Sequence, residues 1–141
     1  MRFGDSLFLE VGKDGGPKSR VDGFWLIRIK SLFSIALLRF AKGSRQAFHS
    51  HAFNSRSWLL TGGLVEVELG GPVKRHEPSL KPIDTKRDTF HKVFGVKDSN
   101  WVLTFRGPWA DDWLEVDERG DIIRLTHNRV ELERNGVRVG A

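Results

Sequence analysis

The sequence predicts an all-β protein, a sandwich or small barrel, from the way its segments are built and spaced. Short stretches rich in aromatic and aliphatic residues recur along the 141 residues, with turn-forming Gly, Pro, Asn and Asp between them. Several short strands at regular spacing, separated by such punctuation, are the signature of a β-sandwich or barrel. The segment LVEVEL adds a period-two alternation: Val65, Val67 and Leu69 share one face, Glu66 and Glu68 the other. That pattern belongs to a strand with one buried side.

Each element follows from local chemistry. Residues 1–20 hold one strand, SLFLEV, and then GKDGGPKSR, a loop by composition. GFWLIRIK and SIALLRFA are strands, with KSLF as the turn region between them. SWLLT and LVEVEL flank Gly62 and Gly63, the pattern of a tight hairpin. GPVKRHEPSLKPIDTKRD carries three prolines and many charges, which predicts loop with short edge strands at most. TFHKVFGV and NWVLTFRG read as a strand pair around KDSN, and DDWLEVD and DIIRLT as a hairpin around ERG. Asn135-Gly136 predicts a last small hairpin, with a helix over 127–134 as the alternative. The whole chain, 1–141, reads as a single domain. Residues 1–20 form its N-terminal strand and loop, and 121–141 a C-terminal extension.

Composition excludes several function classes. There is no cysteine, which removes disulfides, zinc–thiolate clusters, iron–sulfur ligation and thiol nucleophiles, and is compatible with a reducing cytoplasm. The longest apolar-rich stretch, residues 24–40, is interrupted by Arg28, Lys30 and Arg39, so no membrane span is expected. The N-terminal MRFGDSLFLEVG lacks the basic start and apolar run of a signal peptide, and the expected location is cytoplasmic. A net charge of +5 and a pI near 9.9 raise nucleic acid as a partner. The basic residues are scattered among acids, however, as in RVELERNGVRV, and a solvated surface is the favoured account of them.

The chemistry-bearing stretch is AFHSHAFNSRSWLLTGGLVEVEL, residues 47–69. In an extended chain, residues i and i+2 point to the same side, so His49 and His51 share one space. On the pair alone two readings stand, a metal site or two polar residues on a wet strand. A firm imidazole site needs three well-placed ligands. His91, on a strand some forty positions downstream and flanked by Phe90 and Val93, is available as the third, with a hydrogen-bonded, half-buried histidine as the competing reading. His76, in the charged proline-rich loop, and His127, near the C-terminal hairpin, read as surface residues.

With these residues in view the sequence resembles the cupin superfamily, whose first motif places a glycine, five residues, HxH and then a glycine turn. The matching residues are Gly43, a five-residue spacer SRQAF, His49-Ser50-His51, and Gly62-Gly63. His91 stands where the second motif supplies a histidine. The segments HSHAF, LLTGGLVE, FHKV and WVLTFRGPWADDW, spanning about residues 36–117, are similar to those of small phage-associated and bacterial cupin-like proteins. The resemblance implies a double-stranded β-helix (jelly-roll) barrel, a homodimer by strand exchange or sheet extension, and, if phage-encoded, a host cytoplasm. It implies a metal site of His49, His51 and His91 for divalent Fe, Zn, Ni or Mn, and oxygenase, isomerase or epimerase-like chemistry. Two departures stand out. The acid that commonly follows HxH as a fourth ligand falls at Ser55 or Arg56, and PIDTKRDTFH lacks the usual Pro-x-Gly before its histidine. The chain also has no tyrosine, the acid used by cupin-like sugar-nucleotide epimerases.

For an open three-histidine centre acting on a small, anionic molecule, Arg56 and Arg106 are candidates to hold a carboxylate or phosphate. Trp58 and Trp101 are candidates for the apolar wall. Core packing is the competing role for both tryptophans, and a strand-end cap or ion pair the competing role for Arg106. Trp25 and Trp113 read as core, Trp109 as a partly exposed contact residue, and Asp111 and Asp112 as turn and surface. The reading from a different class is a non-catalytic small-molecule or sugar binder, or a phage accessory interaction module, in which the histidines are polar lining.

Overall fold

A computed structural model describes residues 2–3, 6–14, 19–43, 48–117, 119–126 and 129–139. His127, most of the spacer between Gly43 and His49, and residues 15–18 of the first loop lie outside the described residues. The chain runs as β1 (Arg2–Phe3), β2 (Ser6–Lys13), β3 (Val21–Ile29), β4 (Phe33–Ala41), β5 (Ser55–Thr61), β6 (Leu64–Glu68) and β7 (Val73–His76). It continues as β8 (Ile83–Thr85), β9 (His91–Gly95), β10 (Ser99–Arg106), β11 (Asp112–Val116), β12 (Ile122–Thr126), β13 (Val130–Arg134) and β14 (Val137–Arg138). The all-β expectation holds.

One sheet has the order β1-β2-β3-β4-β10-β5-β8. The other layer consists of β7-β6-β9 and β11-β12-β13-β14. An extended segment around His49 joins its two parts, bridging His91 of β9 on one side and Glu115 of β11 on the other. Backbone bonds run from His49 N to His91 O (2.9 Å), His91 N to His49 O (3.0 Å) and Val116 N to Phe48 O (2.8 Å). The core between the layers is built from Val21, Trp25, Ala36, Leu38, Phe40, Leu59, Leu64 and Val102.

The local turns come out as expected where the two strands are partners. KSLF closes the β3–β4 hairpin, β11 and β12 pair as a hairpin from Val116 and Ile122 onward, and Asn135-Gly136, with φ of 52° and 82°, closes the β13–β14 hairpin. The helix alternative over 127–134 is excluded for 130–134, which are strand. The proline-rich segment forms β7 and β8, each at the edge of its sheet.

Two expected hairpins are corrected. β5 and β6 do not pair, because β5 lies between β10 and β8 while β6 lies between β7 and β9. Gly62, at φ 90°, is where the chain leaves one layer for the other. A Cβ there would stand 2.4 Å from the Asn100 side chain, so the corner closes only around glycine. Asn100 in turn accepts from Gly63 N and Lys97 N and donates to the Phe40 and Lys97 carbonyls. β9 and β10 likewise part company across KDSN: β9 pairs with β6, and β10 with β4 and β5. In both cases a tight connection was read as pairing, whereas in a jelly roll it also serves to cross between layers.

The face of β6 is corrected as well. Leu64 and Glu66 are its buried residues, at 5% and 6% exposure, while Val65 and Val67 are half-buried and Leu69 is exposed. Alternation gives the period of a strand but not which parity faces the core. Here the interior holds polar partners for the acid.

Candidate metal centre and its approach

β9 and the His49 segment lie side by side, and this adjacency brings the histidines together. The facing nitrogens of His49, His51 and His91 all lie within 4.8 Å of one another. The rings pack edge to face, with His51 Nε2 2.8 Å from His91 Nε2. The orientation of His91 is set from behind: its Nδ1 donates to Glu66 Oε2 at 2.5 Å. His76 Nε2 donates to the other oxygen, Oε1, at 3.1 Å. The hydrogen bond from His91 outweighs burial and, with that from His76, holds the Glu66 carboxyl down to about 2. Glu66 is therefore an ionised acceptor for the Nδ1–H of His91, which turns Nε2 of that ring toward the other two. Burial, reinforced by the charges of His49, His91 and Arg106, keeps His51 well below its usual value, so this ring is neutral at pH 7.

The cluster faces an inner cavity of about 90 Å³, enough for an ion and a few waters. Ser55, at the expected place of the missing acid, lines this cavity, while Arg56 points out of the barrel with its Nε 2.7 Å from Asp84. The guanidinium that would repel an ion thus stands away from it. Donor chemistry agrees with a metal: three imidazoles, one of them backed by a carboxylate, form an open set for a divalent transition ion. His76, read from sequence as a surface residue, is instead largely covered and bonded to Glu66.

Of the four residues considered for substrate, only Arg106 is brought to this cavity. It is buried at 6% exposure, gives both terminal nitrogens to Asp14 (3.1 and 2.8 Å) and lies over Phe53. Burial opposes ionisation of Asp14, but the charge and hydrogen bonds of Arg106 prevail and its carboxyl is lowered. Trp58 and Trp101 face outward with Arg56: Trp58 donates to Leu80 O and packs on Phe105, and Trp101 packs on Phe24. Strand parity explains this division, since Ser55, Ser57 and Thr104 line the cavity and their neighbours cannot.

On the other side of the HxH segment lies a second cavity of about 290 Å³, which shares Asp14, His49, His51 and Phe53 with the first. Trp25, Trp109 and Trp113 line it, together with Arg28 and Lys30. The exposed Lys13 and Arg129 at its edge show that it reaches solvent. Trp113, read as core, is half-buried here. Glu66, Asp14 and Arg28 take functional positions that their sequence context does not announce. Glu66 carried one signal, its shared parity with Leu64; the other two carried none.

Two antiparallel layers enclosing an HxH pair and a histidine from a later strand decide the architecture. The fold is that of the cupins. Among solved structures, the polyketide cyclase RemF from Streptomyces resistomycificus is similar at a TM-score of 0.65 and 14% identity, over 77% of this chain and 80% of that one. A sugar phosphate isomerase of the cupin superfamily from Silicibacter pomeroyi matches at 0.58 and 15%, over 86% and 82%. An RmlC-like cupin from Shewanella frigidimarina matches at 0.56 and 16%, over 76% and 88%. No family model and no curated protein matches the sequence.

Proposed function

We propose that this cupin-fold protein is a metal-dependent enzyme acting on a small molecule, with His49, His51 and His91 as the protein ligands of one divalent ion. The observation that carries this reading is the convergence of three imidazoles, one fixed by an ionised carboxylate at 2.5 Å. Iron, zinc, nickel and manganese all suit such a donor set. When bound, the ion supplies Lewis-acid polarisation of a substrate oxygen or a site for dioxygen. The chain itself does the rest. Glu66 keeps the proton of His91 on Nδ1, the burial of His51 keeps that ring neutral, and the apolar walls of Leu38, Phe40, Leu64 and Val102 limit water. Substrate reaches the cluster from the second cavity, which opens on both His49 and His51. Similar folds include a cyclase and an isomerase, which supports small-molecule chemistry as the use of this barrel.

The test is elemental analysis of protein purified without a histidine tag, together with thermal unfolding in added Fe, Ni, Zn or Mn. About one equivalent of metal, lost in His91→Ala, is expected. Less than about a tenth of an equivalent with no thermal stabilisation by any of the four would refute the metal centre.

A further inference from the structure

We propose that the second cavity binds a small planar aromatic anion, a carboxylate or phenolate of one or two rings. This deepens the reading of the metal centre by naming the substrate class, and it stands on different residues. At about 290 Å³ the cavity is at the small end of ligand sites, which commonly span about 300–1,000 Å³. Its apolar part is aromatic. Trp109 and Trp113 meet at 89° with centroids 5.9 Å apart, and Phe53 lies 5.4 Å from Trp109. Two indoles set at right angles offer a flat ring one face to stack on and one to meet edge-on.

The polar part favours negative charge. Arg28 lies over the Trp25 ring at 5.0 Å and Lys30 over the Trp109 ring at 4.8 Å, so each cation sits beside an aromatic wall. The position of Arg28 is the work of a bulge. β3 pairs Trp25 with Ala36 but Arg28 with Ser34, an inward pair, because Leu26 is an extra residue and lies 52% exposed. Without that insertion Arg28 would have the opposite parity to Trp25 and leave the cavity, and bulges commonly re-aim side chains in this way. The two carboxylates in the wall already have guanidinium partners: Asp14 is bound by Arg106 and also feels the charge of Arg28, and Glu115 is bound by Arg129. Trp25 Nε1 is buried with no acceptor among the described residues, a donor that an anion in this cavity could satisfy. A sugar is disfavoured: no Asn or Gln lines the cavity, and the acids that would accept from hydroxyls are already committed.

The experiment is isothermal titration calorimetry on the full chain, metal-loaded and chelator-stripped, with four probes: 1-naphthoate, 1-naphthalenemethanol, cyclohexanecarboxylate and glucose 6-phosphate. The expected result is one 1-naphthoate per chain in both forms, bound at least about tenfold more tightly than the other three. Arg28→Gln and Trp109→Leu should each weaken it about tenfold with metal content unchanged, while the outward Arg75→Gln should leave it alone. Should Trp109→Leu fail to fold, Lys30→Gln carries the same prediction. Equal affinities for the four probes, tighter binding of glucose 6-phosphate, or unchanged affinity in the cavity variants would overturn the proposal. Failure of the two readings is distinguishable. Metal without naphthoate leaves the metal centre and removes the aromatic anion; naphthoate without metal does the reverse.

Discussion

Glu66 is the residue on which the orientation of the centre turns. Its carboxylate links His91 to His76, and a ligand imidazole backed in this way is fixed in tautomer and direction. Glu66→Gln should weaken metal affinity by about 10–100-fold, measured by competition with a chromogenic chelator, with the fold retained. Gly23 has a comparable role at the second cavity. A Cβ there would come within 2.5 Å of the Trp25 ring, which lies over the backbone of β3. Gly23→Ala should displace that indole and cost about 1–3 kcal/mol in urea unfolding, with a shift in tryptophan emission. In the sequence Gly23 is only a glycine in a strand, and Glu66 is one of two alternating acids whose sole hint is its shared parity with Leu64.

At the scale of elements, the β5–β6 corner and the β3 bulge do most to place the site. The corner sends β6 to the layer that carries β9, and so brings Glu66 behind His91. Gly62→Ala would combine a Cβ at φ 90° with an approach of 2.4 Å to Asn100. It should destabilise by about 1–3 kcal/mol or more, read as a lower urea midpoint, and should lower metal retention with it. Hairpins between sequence neighbours were legible because turn residues and flanking strands lie within one short window. The crossings at Gly62-Gly63 and KDSN were not, because the same turn chemistry serves a hairpin and a change of layer.

For the whole molecule, pH is the most direct probe of how charge is held. Asp14, Glu66, Asp117 and Asp121 all have carboxyls lowered in the folded chain. For Asp14 and Glu66, Arg106 and His91 overcome burial; for Asp117 and Asp121, hydrogen bonds from Arg134 and from Asn135 are the leading causes. Below their ordinary values of 3.8 to 4.5 the unfolded chain therefore binds more protons than the folded one. Their stabilisation is complete above that range and is lost as pH falls toward about 2, where Glu66 titrates. Urea midpoints should hold from pH 7 to about 5 as far as these groups are concerned, and fall steeply below 4. The same ion pairs bear on the net charge of +5. Arg56, Arg106, Arg124, Arg129 and Arg134 are each bound to carboxylates, so these five arginines are engaged within the fold and the excess rests on other basic residues, which the sequence scatters among acids. Retention of DNA or RNA should be weak even at low salt, checked by filter binding across a salt series.

The sequence by itself determined the all-β class, the pairing of β3 with β4, β11 with β12 and β13 with β14, and the histidines worth watching. Each of these depends on residues close along the chain or on a side-chain type that carries chemistry wherever it lies. Only the tertiary structure decided that His91 docks beside His49, that Glu66 rather than Val65 and Val67 faces inward, and that Arg28 shares a wall with Trp25. It also turned Arg56, Trp58 and Trp101 outward. Those outcomes depend on which strands become neighbours, which parity faces the core and where one residue is inserted. His91 meets His49 from some forty residues away and Glu66 from 25, and the inserted Leu26 shows only in how β3 pairs with its neighbours, so residue type along the chain displays none of the three.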